Sequence, residues 1–128
     1  MNEFISINEL ERSLLAAQEK RIPVEEFIRQ LVASNIALPS AVEVQENGSG
    51  FQPIIFDKLG TKMLAIFTDK ARVTQLEHIA KYCLVMNALE MLRRIPSGYG
   101  IVINPGLNVG LELSPDGIAE IVKDFTPS

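Results

Sequence analysis

The chain has 128 residues, 47% of them hydrophobic and 22% charged, with a net charge of −4. That is the size of one domain with a core of its own, and it excludes disorder, a coiled coil and a general polyanion-binding surface. A single cysteine and a single histidine exclude an internal disulfide, a cysteine-built zinc site and a multi-histidine metal site.

No segment approaches the roughly 20 apolar residues that a membrane-spanning helix needs. The first ten residues carry Glu3 and Glu9 and no basic residue, unlike a secretory signal. With the lone thiol of Cys83, this predicts a cytoplasmic protein.

Ser6-Ile7-Asn8-Glu9 reads as a capping box. Ile7, Leu10, Leu14 and Leu15 follow at helical spacing and predict a helix over 7–20, closed by Lys20 and Arg21. Pro23 suits the first position of a second helix, with Glu25 and Glu26 in its first turn. Val24, Phe27, Ile28, Leu31 and Val32 form its apolar stripe, and Asn35 and Pro39 end it. The short link predicts a helical hairpin.

The period then changes. Val42 and Val44 alternate with Glu43 and Gln45, which predicts a strand, and Asn47-Gly48-Ser49-Gly50 predicts a hairpin turn into a second strand over 51–56. Pro53 has no N–H to give and belongs at an unpaired position or a bulge. After the turn at Leu59-Gly60-Thr61, the unbroken apolar run 63–67 predicts a strand buried on both faces. The three strands form an antiparallel meander.

Asp69 caps a helix bearing Val73, Leu76, Ile79 and Ala80. Residues 82–86 are a strand or an extended approach to a helix started by Asn87-Ala88-Leu89-Glu90. Met86 and Met91 sit at the staple positions of that helix, and Arg93 and Arg94 in its last turn. A buried strand over 101–103 is turned by Asn104-Pro105-Gly106. Here Gly106 takes a positive φ, and Asn104 is extended with its side chain on nearby backbone. Leu111 and Leu113 mark a last strand, and Ser114-Pro115-Asp116 starts a final helix with Ile118, Ile121 and Val122 inward. Residues 126–128 form a frayed end. The fold class is a two-layer α/β (α+β) domain spanning 1–128. It has a mostly antiparallel mixed sheet, an N-terminal helical hairpin and C-terminal helices.

Chemistry is sparse. Cys83 and His78 are the one thiol–imidazole combination, yet Cys83 lies in an apolar run and His78 on a polar helix face. Asp57 and Asp69 stand at strand exits, where an acid commonly forms a turn or a cap. The glycine-bearing 104–110 loop follows a strand but lacks the lysine and hydroxyl of a phosphate loop. Lys70, Arg72, Lys81, Arg93 and Arg94 make no basic–aromatic stripe for nucleic acid.

Phe67-Thr68-Asp69 ends an apolar strand. Further on, Gly98-Tyr99-Gly100-Ile101-Val102-Ile103-Asn104-Pro105-Gly106 leads to Gly110-Leu111-Glu112-Leu113-Ser114-Pro115-Asp116-Gly117-Ile118. This ordered set resembles the N-terminal domain of the SseB family, the bacterial enhanced serine sensitivity proteins, over residues 10–125. The resemblance implies fold-marker roles for Phe67, Thr68, Asp69, Asn104, Pro105, Gly106 and Gly110, with the 104–110 loop a candidate binding loop. It also implies a link to serine sensitivity and, by family label, to type III secretion. Longer members carry a second, C-terminal domain. No catalytic residue set comes with the resemblance.

The expectation is a cytosolic, non-enzymatic interaction or regulatory module with a protein partner, as monomer or homodimer. It needs no cofactor and no metal, and engages neither nucleic acid nor membrane. The alternative is a small ligand-binding protein or hydrolase-like enzyme using the 104–110 loop, Asp57, Asp69 or His78.

Overall fold

The structure, a computed structural model, describes residues 5–125; the predicted frayed end at 126–128 lies outside them. Helices α1 (Glu9–Gln18) and α2 (Val24–Val32) form the expected hairpin. Their buried faces are Leu10 and Leu14 against Phe27, Ile28 and Leu31. α1 begins two residues later than the sequence predicts. Asn8, not Ser6, is the cap, with its Oδ1 accepting from the Glu11 N–H at 2.7 Å. Asn8 wins because its amide also donates to the Thr68 carbonyl at 3.0 Å, a tertiary bond that local spacing does not reveal. Pro23 stands at the N-cap of α2, one residue before its expected place.

Asn35 does not end a helix; it opens strand β1 (Asn35–Ser40). Ile36, Ala37 and Leu38 are all buried, because both faces of this strand are covered. The strand predicted around Val42 and Val44 does not form, and residues 41–54 are a long loop. Val42 is 41% exposed, so its alternation with Glu43 has no core to face. The predicted turn is present inside the loop, with Gly48 and Gly50 at positive φ. The next strands are β2 (Ile55–Lys58) and β3 (Thr61–Ile66). Pro53 touches the sheet only through one bridge to Ser40.

A 3₁₀ helix over Lys70–Leu76 replaces the longer helix expected there. Its three-residue turn aligns Val73 with Leu76, and both are buried. β4 (Tyr82–Asn87) runs directly into α3 (Ala88–Arg94), whose cap is Asn87. β5 (Gly100–Ile103), β6 (Leu111–Leu113) and α4 (Pro115–Phe125) complete the chain.

The meander is only partly realised. β2 and β3 are antiparallel, but β3 pairs in parallel with β5, and β6 closes that sheet antiparallel to β5. β1 pairs antiparallel with β4. Paired backbone bonds between Ala37 and Phe67, at 2.9 and 2.8 Å, join the two sheets. The result is an α+β domain with helices at both ends. Ile36, Leu38, Leu64, Ile66, Ile101 and Ile103 face the large core shared with the α-helices. Ala37, Ala65 and Phe67 face a smaller one closed by Val73 and Leu76 of the 3₁₀ helix.

Candidate functional site

Three residues of the predicted motif, Thr68, Asp69 and Asn104, converge where the C-terminal ends of β3 and β5 meet the start of α1. β3 and β5 are parallel neighbours, so Thr68 and Asn104 leave the sheet side by side. The Asn104 Oδ1 accepts from the Thr68 N–H at 3.0 Å, and its amide donates to Thr68 Oγ1 at 3.0 Å and to the Val109 carbonyl at 3.1 Å. Thr68 and Asn104 are only 2% and 1% exposed.

The turn that follows has the expected form at one position and not at another. Gly106 has φ 84°, and the Leu107 N–H closes the turn on the Asn104 carbonyl at 3.1 Å. Asn104, predicted extended, instead has φ 58°. Asparagine tolerates the left-handed region better than most residues. The side-chain bonds it gains beneath the loop offset the cost.

The partner that the sequence reading missed is Glu11. Its carboxylate is fully buried. Oε1 accepts from Arg72 Nη2 at 2.8 Å and from the Ile7 N–H at 3.0 Å. Oε2 accepts from Thr68 Oγ1 at 2.6 Å and from Arg72 Nε at 3.0 Å. Burial alone would raise the pKa of this carboxyl. Hydrogen bonds from Arg72, Thr68 and Ile7, with the charge of Arg72, outweigh that and hold it below the ordinary value of 4.5. The bonds to Glu11 raise the Arg72 pKa in turn, against burial and with help from the charges of Glu11 and Asp69. The signal for Glu11 was in the sequence: Asn8-x-x-Glu11 has the same capping-box spacing as Ser6-x-x-Glu9.

An ionised carboxylate has about four lone-pair positions, and Glu11 uses four. All four donors are groups of this chain. Thr68 gives its only hydroxyl proton to Glu11. The cluster has the residue types of a hydroxyl nucleophile with a base, and these groups bond to one another. It works as a latch between α1, the 3₁₀ helix and the 104–110 loop.

Gln18 fastens the loop from the other side. Its amide donates to the Asn108 carbonyl at 3.0 Å and its oxygen accepts from the Gly110 N–H at 3.0 Å. Gly110 leaves no room for a side chain, since a Cβ would lie 2.5 Å from the Ile103 carbonyl oxygen. Pro105 is half-buried, and Gly106 is exposed and accepts from the Gln75 amide at 3.4 Å. Phe67 is fully buried in the smaller core. Phe67 and Gly110 thus pack within the fold, while Pro105 and Gly106 lie at its surface.

Asp69 stands at the rim of this cluster, where the Asn8 amide donates to its Oδ2 at 3.3 Å; the remaining candidates stay apart. Asp69 caps the 3₁₀ helix through the Ala71 N–H at 2.9 Å, and Asp57 accepts from the Gly60 N–H at 2.8 Å. His78 is exposed, while Cys83 is half-buried against the smaller core. Among the described residues, no three of His, Cys, Asp and Glu gather closely enough to hold a metal ion. No described helix is long and apolar enough to cross a membrane.

The family description "SseB protein N-terminal domain" matches residues 10–120. The chain belongs to the SseB N-terminal domain family. The match spans α1 through most of α4, so it contains every residue of the latch from Glu11 to Asn104. Comparison with curated proteins and with solved structures finds no match. In this SseB domain, therefore, the motif residues draw their meaning from the geometry above.

Proposed function

We propose that this SseB domain is a non-enzymatic interaction module that binds an extended segment of a partner protein along the free edge of β4. The observation that carries this reading is the state of that edge. Ala37 directs both its backbone groups at Phe67, so Ile36 and Leu38 direct theirs at β4. Their register partners Met86 and Leu84 face back. Cys83 and Val85 are left with N–H and C=O pointing away from the sheet.

Edge strands are usually guarded by charge, proline or a bulge. Tyr82-Cys83-Leu84-Val85-Met86-Asn87 carries no charge or proline, and none of its residues is buried. Tyr82 and Val85 are 42% and 48% exposed. Such an edge suits strand addition, in which backbone bonds supply affinity and alternate side chains supply selectivity. The saturated state of Glu11 and Thr68 supports the non-enzymatic half of the reading.

Val85→Lys tests it, because the new charge lies on the free edge and leaves the β1 pairing intact. Affinity capture from bacterial cytosol should enrich a stoichiometric partner on the wild-type domain and lose it on the variant. The reading fails if no partner is enriched over the variant, or if the variant retains the same one. An edge occupied by a second copy would instead appear as a dimer that Val85→Lys dissociates.

A further inference from the structure

The long 41–54 loop is well tied at its base. Ser40, fully buried, donates from Oγ to the Val42 carbonyl at 2.6 Å and accepts from the Gln52 N–H at 3.1 Å. Inside the loop, Gln45 and Ser49 bond across at 2.9 Å, and the Gly48 N–H returns to the Gln45 carbonyl at 2.8 Å. Loops of this length without secondary structure are uncommon in compact domains and are usually functional. This one forms a wall. Between it, β4 and the end of α3 lies a cleft of about 510 Å³.

The cleft has the make-up of a small-molecule site, mostly apolar residues with a few polar groups among them. Phe51, Leu84, Met86, Met91 and Tyr99 are among its walls, and Arg94 is the charged residue that lines it. Arg94 is loosely engaged. Arg93 takes Glu90 at 2.8 Å, whereas Arg94 reaches the same carboxylate only at 3.9 Å with a side chain 75% exposed. A second cation stands close by, Lys62, whose ammonium lies 5.9 Å from the centre of the Tyr99 ring. Asp57 is opposite Lys62 in the β2–β3 register, yet no ion pair forms between them.

We infer that the cleft binds a small amphipathic anion, with an acyl or aryl body against Met86, Met91 and Tyr99 and a carboxylate at Arg94. This goes beyond the edge-binding function and does not depend on it. The volume falls within the roughly 300–1,000 Å³ of small-molecule sites. An apolar body alone would leave Arg94 unused, and a purely ionic ligand would leave the apolar lining wet.

The test is titration of the isotope-labelled domain with decanoate, below its micellar concentration, and with decanol as the uncharged control. Decanoate should shift the amide and methyl resonances of Gly48, Met86, Met91 and Tyr99 and bind about tenfold more tightly than decanol, the increment of one charge-assisted hydrogen bond. Arg94→Gln, at an exposed site that folding does not need, should erase that preference and leave decanol binding unchanged. The inference is overturned if decanoate leaves these resonances unmoved, if both ligands bind equally, or if Arg94→Gln keeps the preference. It is also overturned if the same resonances respond to protein concentration alone, which would place a second copy in the cleft.

Discussion

Arg72 grips Glu11 through two hydrogen bonds, Nε to Oε2 at 3.0 Å and Nη2 to Oε1 at 2.8 Å, across 61 positions of sequence. The same guanidinium donates to the Ile5 carbonyl at 2.6 Å. One side chain of the 3₁₀ helix therefore fixes both α1 and the segment leading into it. Removing one member of a buried pair strands the other, which costs far more than a surface pair is worth.

Glu11→Ala should lower stability by about 3 kcal/mol, the lower end for a broken buried pair, because Arg72 retains some contact with water. Its side chain is 21% exposed. Denaturant midpoints at pH 7 measure this. A loss below about 0.5 kcal/mol, the range of surface substitutions, would mean that the latch holds nothing.

The same pair sets a pH dependence. The Glu11 carboxyl lies below its ordinary value of 4.5 in the folded chain, so the unfolded chain binds the extra proton first. Its contribution is complete above pH 4.5 and drains away as pH falls through the depressed folded value. Wild type and Glu11→Gln should therefore converge in stability as pH falls from about 5 through the depressed folded value. A constant gap across that range would contradict the ionic role of Glu11.

How far the sequence reaches is clearest in the contrast between α2 and β1. The stripe of Phe27, Ile28 and Leu31 repeats at helical spacing, and one face suffices to bury it. β1 is covered on both faces, so Asn35-Ile36-Ala37-Leu38 shows no alternation and passes for the tail of a helix. Val42 and Val44 alternate and pass for a strand, yet neither joins a core cluster. The parallel β3–β5 pairing joins segments some forty residues apart, beyond any local pattern. At the site, Thr68, Asp69 and Asn104 were legible as a motif. Glu11 hid behind a competing capping register, and Arg72 carries no sequence sign of its partner.

Leu31 is fully buried at the hairpin core. Leu31→Ala should cost about 2–5 kcal/mol through lost contacts and the cavity left behind. A shift in the urea midpoint with an unchanged slope would report that loss. A near-neutral result would show the α1–α2 hairpin to be loosely held on the sheet.

The two loop glycines should separate conformational strain from steric conflict. At Gly106 the φ of 84° disfavours any side chain, but the nearest obstacle is Gln75 Cγ at 3.1 Å, part of an exposed, flexible side chain. Gly106→Ala should therefore cost about 1–2 kcal/mol, the penalty of the left-handed region. Gly110 has no positive φ, yet a Cβ there would lie 2.5 Å from the Ile103 carbonyl oxygen, which belongs to β5 and cannot swing aside. Gly110→Ala should cost about 3 kcal/mol, the upper end for overpacking. It should also disturb the Gln18 bond to the Gly110 N–H, so amide exchange at Gly110 should quicken more than at Gly106. If Gly106→Ala proves the more damaging, the turn rather than the packing of the loop on β5 holds this end of the domain.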